Sequence, residues 1–92
     1  MKVKSNYILR SVADQHVVVP TGQEAVNFNG IITLNNSGKI LFELLQKETT
    51  KEKLVEALLE RYDVTALQAN ADVEEFINTL NSKNILEPKN EA

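Results

Sequence analysis

The spacing of the apolar residues changes at Asn35, and this change constrains the fold more than any other feature. Upstream of it, short segments rich in aromatic and β-branched residues are typical of strands. Downstream of it, apolar residues recur every three or four positions, as they do in amphipathic helices. Strands followed by helices within 92 residues predict one α+β domain, with an ordered core over residues 6–86 and a polar tail over residues 87–92.

The upstream part contains three predicted strands. The first covers Tyr7–Val12 and the second covers residues 16–19, after which a Pro-Thr-Gly sequence predicts a loop. The third lies around residues 26–34. An Asn-Gly pair inside it predicts either a hairpin turn or a bulge.

The first predicted helix follows three candidate N-cap residues, Asn35, Asn36 and Ser37. Its apolar side chains cover close to half of the helix circumference. So wide an apolar face predicts a helix that is buried on several sides at the centre of the domain. The residues of this face are Ile40, Leu41, Phe42, Leu44 and Leu45.

Two further helices begin at sequences of the capping-box type. Thr49 together with Glu52 predicts Thr49 as the N-cap of the second helix. Thr65 together with Gln68 predicts the start of the third helix, and Asn84 is the residue expected just beyond its end. The apolar stripe of the third helix consists of Ala66, Ala69, Val73, Phe76, Ile77 and Leu80.

The charge distribution disfavours nucleic acid as a partner. The formal net charge is −3, and residues 36–92 carry eleven acidic against seven basic groups. The third predicted helix holds Asp72, Glu74 and Glu75 against the single basic residue Lys83. A helix that enters the major groove needs the opposite balance. A winged-helix DNA-binding regulator therefore stays an alternative that the helix count permits and the charge opposes.

The sequence lacks a constellation for catalysis or metal binding. It contains no cysteine, which excludes disulfides and thiolate ligands. His16 is the only histidine and is close to Asp14, so a base–carboxylate pair is conceivable, but an exposed or half-buried strand residue is the simpler interpretation. We expect a protein without catalytic residues, metal or cofactor.

Apolar runs in this chain fall short of the roughly 18 residues that a membrane span requires. The first residues also do not resemble a secretory signal. We therefore expect a cytoplasmic protein with no membrane partner.

The edges of a three-stranded sheet point to a binding function. Each edge strand has backbone groups that must be covered or used. An extended peptide can add to such an edge, with main-chain hydrogen bonds for affinity and side-chain pockets for specificity. Pairing between the edges of two copies would instead give a homodimer, so a structural dimerisation module is a further alternative.

Several segments of this sequence, in their order and spacing, resemble the PqqD-like family, whose members are also called RiPP recognition elements. The most specific is Leu34-Asn35-x-x-Gly38 leading into Leu41-Phe42-Glu43-Leu44-Leu45. The others are Tyr7-Ile8-Leu9-Arg10, Val18-Val19-Pro20, the threonine pair at 49 and 50, Leu54 through Leu58, Tyr62-Asp63-Val64, Asp72-Val73-x-x-Phe76-Ile77-x-x-Leu80 and Ile85-Leu86. Together they extend over residues 7–86.

The resemblance implies a winged-helix-like fold, a three-stranded antiparallel sheet with three helices, and no catalysis by this chain. It implies a peptide chaperone that binds the leader segment of a ribosomally synthesised precursor peptide. The partner enzyme implied is a radical S-adenosylmethionine protein with a SPASM-type extension, acting in natural product biosynthesis.

The resemblance also implies where the leader binds, as an added strand on the third strand and against the third helix. Asn70 and Glu74 lie on one flank of that helix and Asp72 and Thr79 on the other, and the sequence leaves open which flank faces the peptide. The peptide-binding residues carried over to this chain are Phe28, Ile31, Ile32, Thr33, Leu34, Asn70, Val73, Phe76, Ile77 and Leu80.

Overall fold

The computed structural model of this chain describes residues 1–21 and 32–87. Its elements follow the predicted order of strands and then helices. They are β1 (Tyr7–Val12), β2 (Gln15–Pro20), β3 (Ile32–Leu34), α1 (Asn36–Leu44), α2 (Lys51–Arg61) and α3 (Ala66–Ser82). The predicted α+β architecture, an antiparallel three-stranded sheet followed by three helices, is confirmed.

The sheet has the strand order β1-β2-β3, so β2 is central. A tight turn joins β1 to β2, and Ala13 in this turn adopts a positive φ of 54°. Both strand pairs are antiparallel. Pairing runs from Tyr7↔Pro20 to Val12↔Gln15 between β1 and β2, and from His16↔Leu34 to Val18↔Ile32 between β2 and β3.

Each helix begins at a side-chain cap. The Asn35 side chain accepts a hydrogen bond from the Gly38 amide, and the Thr65 side chain accepts one from the Gln68 amide, as predicted for α3. Asn84 lies just past the α3 C-cap with φ 59°, the left-handed conformation expected at that position.

The predicted cap of α2 was wrong by one residue. Thr50, with an extended backbone, accepts from the Lys53 amide, so the helix begins at Lys51. Thr49 is buried instead, and its backbone amide donates to the Met1 carbonyl at 3.0 Å. Two adjacent threonines have equal capping chemistry, and the contact of Thr49 with the amino-terminal segment decides between them.

The burial of α1 is narrower than its sequence predicted. Leu41, Phe42 and Leu45 are buried, and Ile40 is half-buried. Leu44 is 39% exposed, because α1 ends there and that side of the helix faces away from the core. The buried face of α1 is therefore narrower than predicted, although the helix packs against β1, β3 and α2 as a central element.

The amino-terminal segment belongs to the core, although the predicted core began at residue 6. Val3 is 2% exposed and forms a β-bridge with Leu86. The Lys4 amide donates to the Ile85 carbonyl at 2.8 Å, and the Glu87 amide donates to the Lys2 carbonyl at 2.8 Å. The segments before β1 and after α3 thus close the domain together.

Among the described residues, no helix is both long enough and apolar enough to cross a bilayer.

Candidate functional site

The outer edge of β3 is the first component of the site. Strand order places β3 at one side of the sheet, and within residues 1–21 and 32–87 its only strand partner is β2. In an antiparallel strand, alternate residues point their N–H and C=O groups to the side away from the neighbour. As far as residues 1–21 and 32–87 are concerned, these outward groups of β3 are therefore available to a further strand.

The described terminal segments do not cover this edge. Residues 2–4 bond to residues 85–87 and to the end of α1, where the Val3 amide donates to the Leu45 carbonyl at 2.9 Å. The Met1 amino group donates to the Thr49 carbonyl at 2.7 Å and also to the Glu48 carboxylate. Both segments are thus occupied elsewhere in the fold.

A groove of about 270 Å³ lies beside this edge, bounded by β3, the start of α1 and one side of α3. Its apolar lining consists of Ile32, Leu34, Leu41, Phe76 and Leu80. Its remaining lining consists of Thr33, Asn35, Ser37, Gly38, Asp72, Glu75 and Thr79. The groove therefore combines a strand edge, an apolar floor and a polar rim.

Most side chains of the floor also belong to the hydrophobic core. Leu41 and Leu80 are almost fully buried, and Ile32 and Leu34 are each 8% exposed. Phe76 is half-buried and packs against the core from α3. A peptide side chain placed here would contact a preformed apolar surface.

Gly38 allows α1 to approach this floor closely. A Cβ built at Gly38 would lie 3.2 Å from Asn35 Oδ1, 3.3 Å from Leu34 Cβ and 3.4 Å from Phe76 Cε1. The first two distances are tighter than ordinary contacts of a Cβ atom, and the third is at the short end of the ordinary range. Glycine at this position therefore brings β3, α1 and α3 together around the groove.

The charge on the groove wall is negative. Of the described residues that line it, the charged ones are Asp72 and Glu75. Asp72 Oδ1 accepts a hydrogen bond from Gln68 Nε2 at 2.8 Å, a contact with a neutral amide that leaves the charge in place. The neighbouring Glu74 lies outside the groove and forms an ion pair with Lys51 Nζ at 3.3 Å.

His16 does not pair with Asp14, the neighbour that the sequence offered, but with Ser11 and Asn36. Its Nδ1 lies 2.8 Å from Ser11 Oγ, and its Nε2 lies 3.1 Å from Asn36 Oδ1, whereas Asp14 is not a partner. The ring is half-buried on β2, which agrees with the interpretation as a strand residue. The contacts connect β1, β2 and the start of α1, a structural role.

The residues carried over from the family resemblance divide into three groups. Ile32, Thr33, Leu34, Phe76 and Leu80 line the groove. Three others do not line it: Val73 is fully buried, Ile77 packs half-buried against the core, and Asn70 is exposed with its Nδ2 donating to the Ala66 carbonyl at 2.8 Å. Phe28 and Ile31 lie outside the described residues.

The structure also shows which flank of α3 faces the groove, a question that the sequence left open. Asp72 and Thr79 line it together with Glu75, whereas Asn70 and Glu74 lie off it. Sequence reasoning missed the contribution of α1 through Asn35, Ser37, Gly38 and Leu41. The signal for it was the Leu34-Asn35-x-x-Gly38 motif, which indicated the family but was not interpreted as part of a site.

Two solved structures share this fold. The first, described as TbiB1 in complex with the TbiA(beta) leader peptide, is 22% identical to this chain. It superimposes with a TM-score of 0.78, and the match covers 99% of this chain and 100% of that one. The second, described as lasso peptide synthetase B1 complexed with the leader peptide, is 14% identical with a TM-score of 0.74, and the match covers 95% and 96%. At these identities the likeness shows the fold alone.

Comparison with curated proteins finds no match for this chain. Comparison with family models gives one over residues 15–86, described as Coenzyme PQQ synthesis protein D (PqqD). That range includes β2, β3 and all three helices, and therefore every described component of the groove. Since the match extends over more than half of the sequence, this chain belongs to the PqqD family.

Proposed function

We propose that this domain is a non-catalytic peptide chaperone that binds the leader segment of a ribosomally synthesised precursor peptide. The leader adds as a strand to the outer edge of β3 and packs against α3. The observation that carries the proposal is the available β3 edge beside an apolar groove. Family membership and the leader peptides named in both similar structures support it.

The geometry of the groove suits a peptide in extended conformation. A strand added to β3 would lie 4.7–4.9 Å from it and would place alternate side chains on each face of the sheet. Ile32 and Leu34 are buried on the helix-covered face, while Thr33 is exposed on the other. One set of peptide side chains would therefore contact the apolar floor, and the other would face solvent.

The proposed role requires no chemistry from this chain. The domain would hold the leader while a separate enzyme, which we propose is a radical S-adenosylmethionine protein with a SPASM-type extension, modifies the precursor in the cytoplasm. The DNA-binding alternative is not favoured, because α3 presents Asp72 and Glu75 where a phosphate backbone would require cations.

The test is a titration of the isotopically labelled domain with leader peptides encoded by genes beside this one. Amide resonances of Ile32–Leu34 and of α3 from Asp72 to Leu80 should shift. Shifts confined to β1, the opposite sheet edge, would contradict the proposal. Sedimentation of the domain without peptide tests the alternative of dimerisation through β3. Dimerisation predicts that the apparent mass rises with protein concentration.

A pair of matched variants on α3 tests the groove itself. Phe76→Ala removes an aromatic ring from the floor, and we expect leader affinity to fall at least tenfold. Leu67→Ala removes an apolar side chain that is 84% exposed and lies off the groove, so affinity should stay unchanged. Equal losses in both variants would show that the peptide binds elsewhere.

A further inference from the structure

On the groove wall that α3 provides, the negative charges and their distance from the apolar side chains together define the kind of peptide that fits. Asp72, Glu75 and Thr79 line the groove from α3, with Phe76 and Leu80 adjacent to them. Among the described residues that line the groove, none is a lysine or an arginine. The groove thus has an anionic part, formed by Asp72 and Glu75, and an apolar part, formed by Phe76 and Leu80, on the same helix.

Within residues 1–21 and 32–87, no cation of the fold compensates the anionic part. There, Asp72 receives a side-chain hydrogen bond from the Gln68 side-chain amide, and Glu75 has no ion pair or side-chain hydrogen bond. Glu74, one position away, is paired with Lys51 outside the groove. The two carboxylates on the wall are therefore available to a cation supplied by a ligand.

The spacing of the two parts matches the repeat of a strand. Along α3, the midpoint between Asp72 and Glu75 lies four to five residues before the midpoint between Phe76 and Leu80. At a rise of 1.5 Å per residue, this separation is about 7 Å. Side chains two positions apart on one face of a strand are also separated by about 7 Å. An added strand that runs along α3 can therefore place an apolar side chain over Phe76 and Leu80 and the next same-face side chain beside the carboxylates.

We infer that the peptide bound in this groove carries a lysine or arginine two positions from an apolar residue, with both side chains on the helix-covered face. This inference rests on the proposed function and specifies its ligand. The aliphatic part of the basic side chain lies along the groove, and its cationic end reaches the carboxylates at the rim. The contact selects among leaders by charge, whereas the strand pairing is independent of sequence.

The experiment is a selection from a library of randomised ten-residue peptides displayed on an inert carrier. The targets are the wild-type domain, an Asp72→Asn, Glu75→Gln double variant, and a Glu52→Gln, Glu56→Gln control. The control removes the same charge from exposed positions on α2 that do not line the groove. Each of the four replacement side chains is close in shape to the original one and lies at an exposed position. Thermal unfolding verifies that each target is folded.

We expect the wild type and the control to enrich peptides with an apolar residue and a basic residue two positions apart. The double variant should enrich the apolar residue alone. For one enriched peptide, acetylation of its lysine should weaken binding to the wild type by roughly twofold to fivefold for each carboxylate contacted. The same acetylation should leave binding to the double variant unchanged, and added salt should reduce the difference.

Two results would overturn the inference. Enrichment of neutral or acidic peptides that still shift the β3 and α3 amides would refute the basic preference and leave the proposed function intact. The same basic preference in the double variant would place the cation elsewhere. If neither library peptides nor neighbouring leaders bind β3, the proposed function fails, and the inference fails with it.

Discussion

Gly38→Ala tests whether the close approach of β3, α1 and α3 is a real feature of this protein. The substitution adds one methyl group at three contacts of 3.2, 3.3 and 3.4 Å. Asn35 Oδ1 and Leu34 Cβ must therefore move by a few tenths of an ångström, whereas Phe76 Cε1 limits the space into which the new methyl group can shift. Leu34 is buried, and Asn35 Oδ1 is held at 2.8 Å from the Gly38 amide as the helix cap, so neither can move without loss.

Two opposing effects set the magnitude. Replacing glycine by alanine in a helix stabilises it by up to ~1 kcal/mol, because the unfolded chain loses conformational freedom. Overpacking a site of this kind costs about 1–3 kcal/mol. With an overpacking cost of about 2 kcal/mol, the free energy of unfolding falls by about 1 kcal/mol net. For a domain of this size, this corresponds to a fall of about 4–8 °C in melting temperature.

Thermal and urea unfolding of the wild type and Gly38→Ala measure this loss. The matched experiment repeats the substitution in a Phe76→Ala background, which removes the contact at 3.4 Å and opens space beside the new methyl group. We expect the cost there to fall by at least 0.5 kcal/mol, the coupling typical of residues in contact. Stabilisation by Gly38→Ala in the wild-type background would refute the reasoning, because only the helix preference would then remain.

Three further predictions concern other parts of the fold. Asn35→Ala should cost about 1 kcal/mol of stability in urea unfolding, whereas Asn35→Asp, which keeps the capping oxygen, should cost less; equal losses would mean that the cap contributes nothing. Ala13→Gly should raise the melting temperature slightly, because φ 54° costs alanine about 1 kcal/mol, and a lower melting temperature would show that the turn is not strained. Val3→Ala should cost about 2 kcal/mol if this side chain is packed against the core, and an unchanged stability would place residues 1–4 outside it.

The elements that the sequence predicted well depend on local chemistry. The bounds of β1 match the predicted strand because a run of aromatic and β-branched residues specifies extended backbone without help from elsewhere. The Thr65 cap and Asn84 beyond the end of α3 were also correct, since each depends on residues within one helical turn.

The features that the sequence did not predict depend on contacts between distant segments. Val3 pairs with Leu86 across nearly the whole chain, and no local pattern indicates such a bridge. The groove-facing flank of α3 depends on the rotation of this helix relative to β3, which helical periodicity alone does not determine. For the same reason, Val73 and Phe76 looked equivalent on one apolar stripe, although Val73 is fully buried and Phe76 lines the groove.

The contact of residues 1–4 with Thr49 and Leu86 has a practical consequence for labelling. Val3 in this segment is buried, so a label attached there would perturb the core that it is meant to report on. The exposed surface of α2 is a better place for a fluorophore. Because the chain has no cysteine, a single Glu60→Cys substitution would give one unique thiol for attachment.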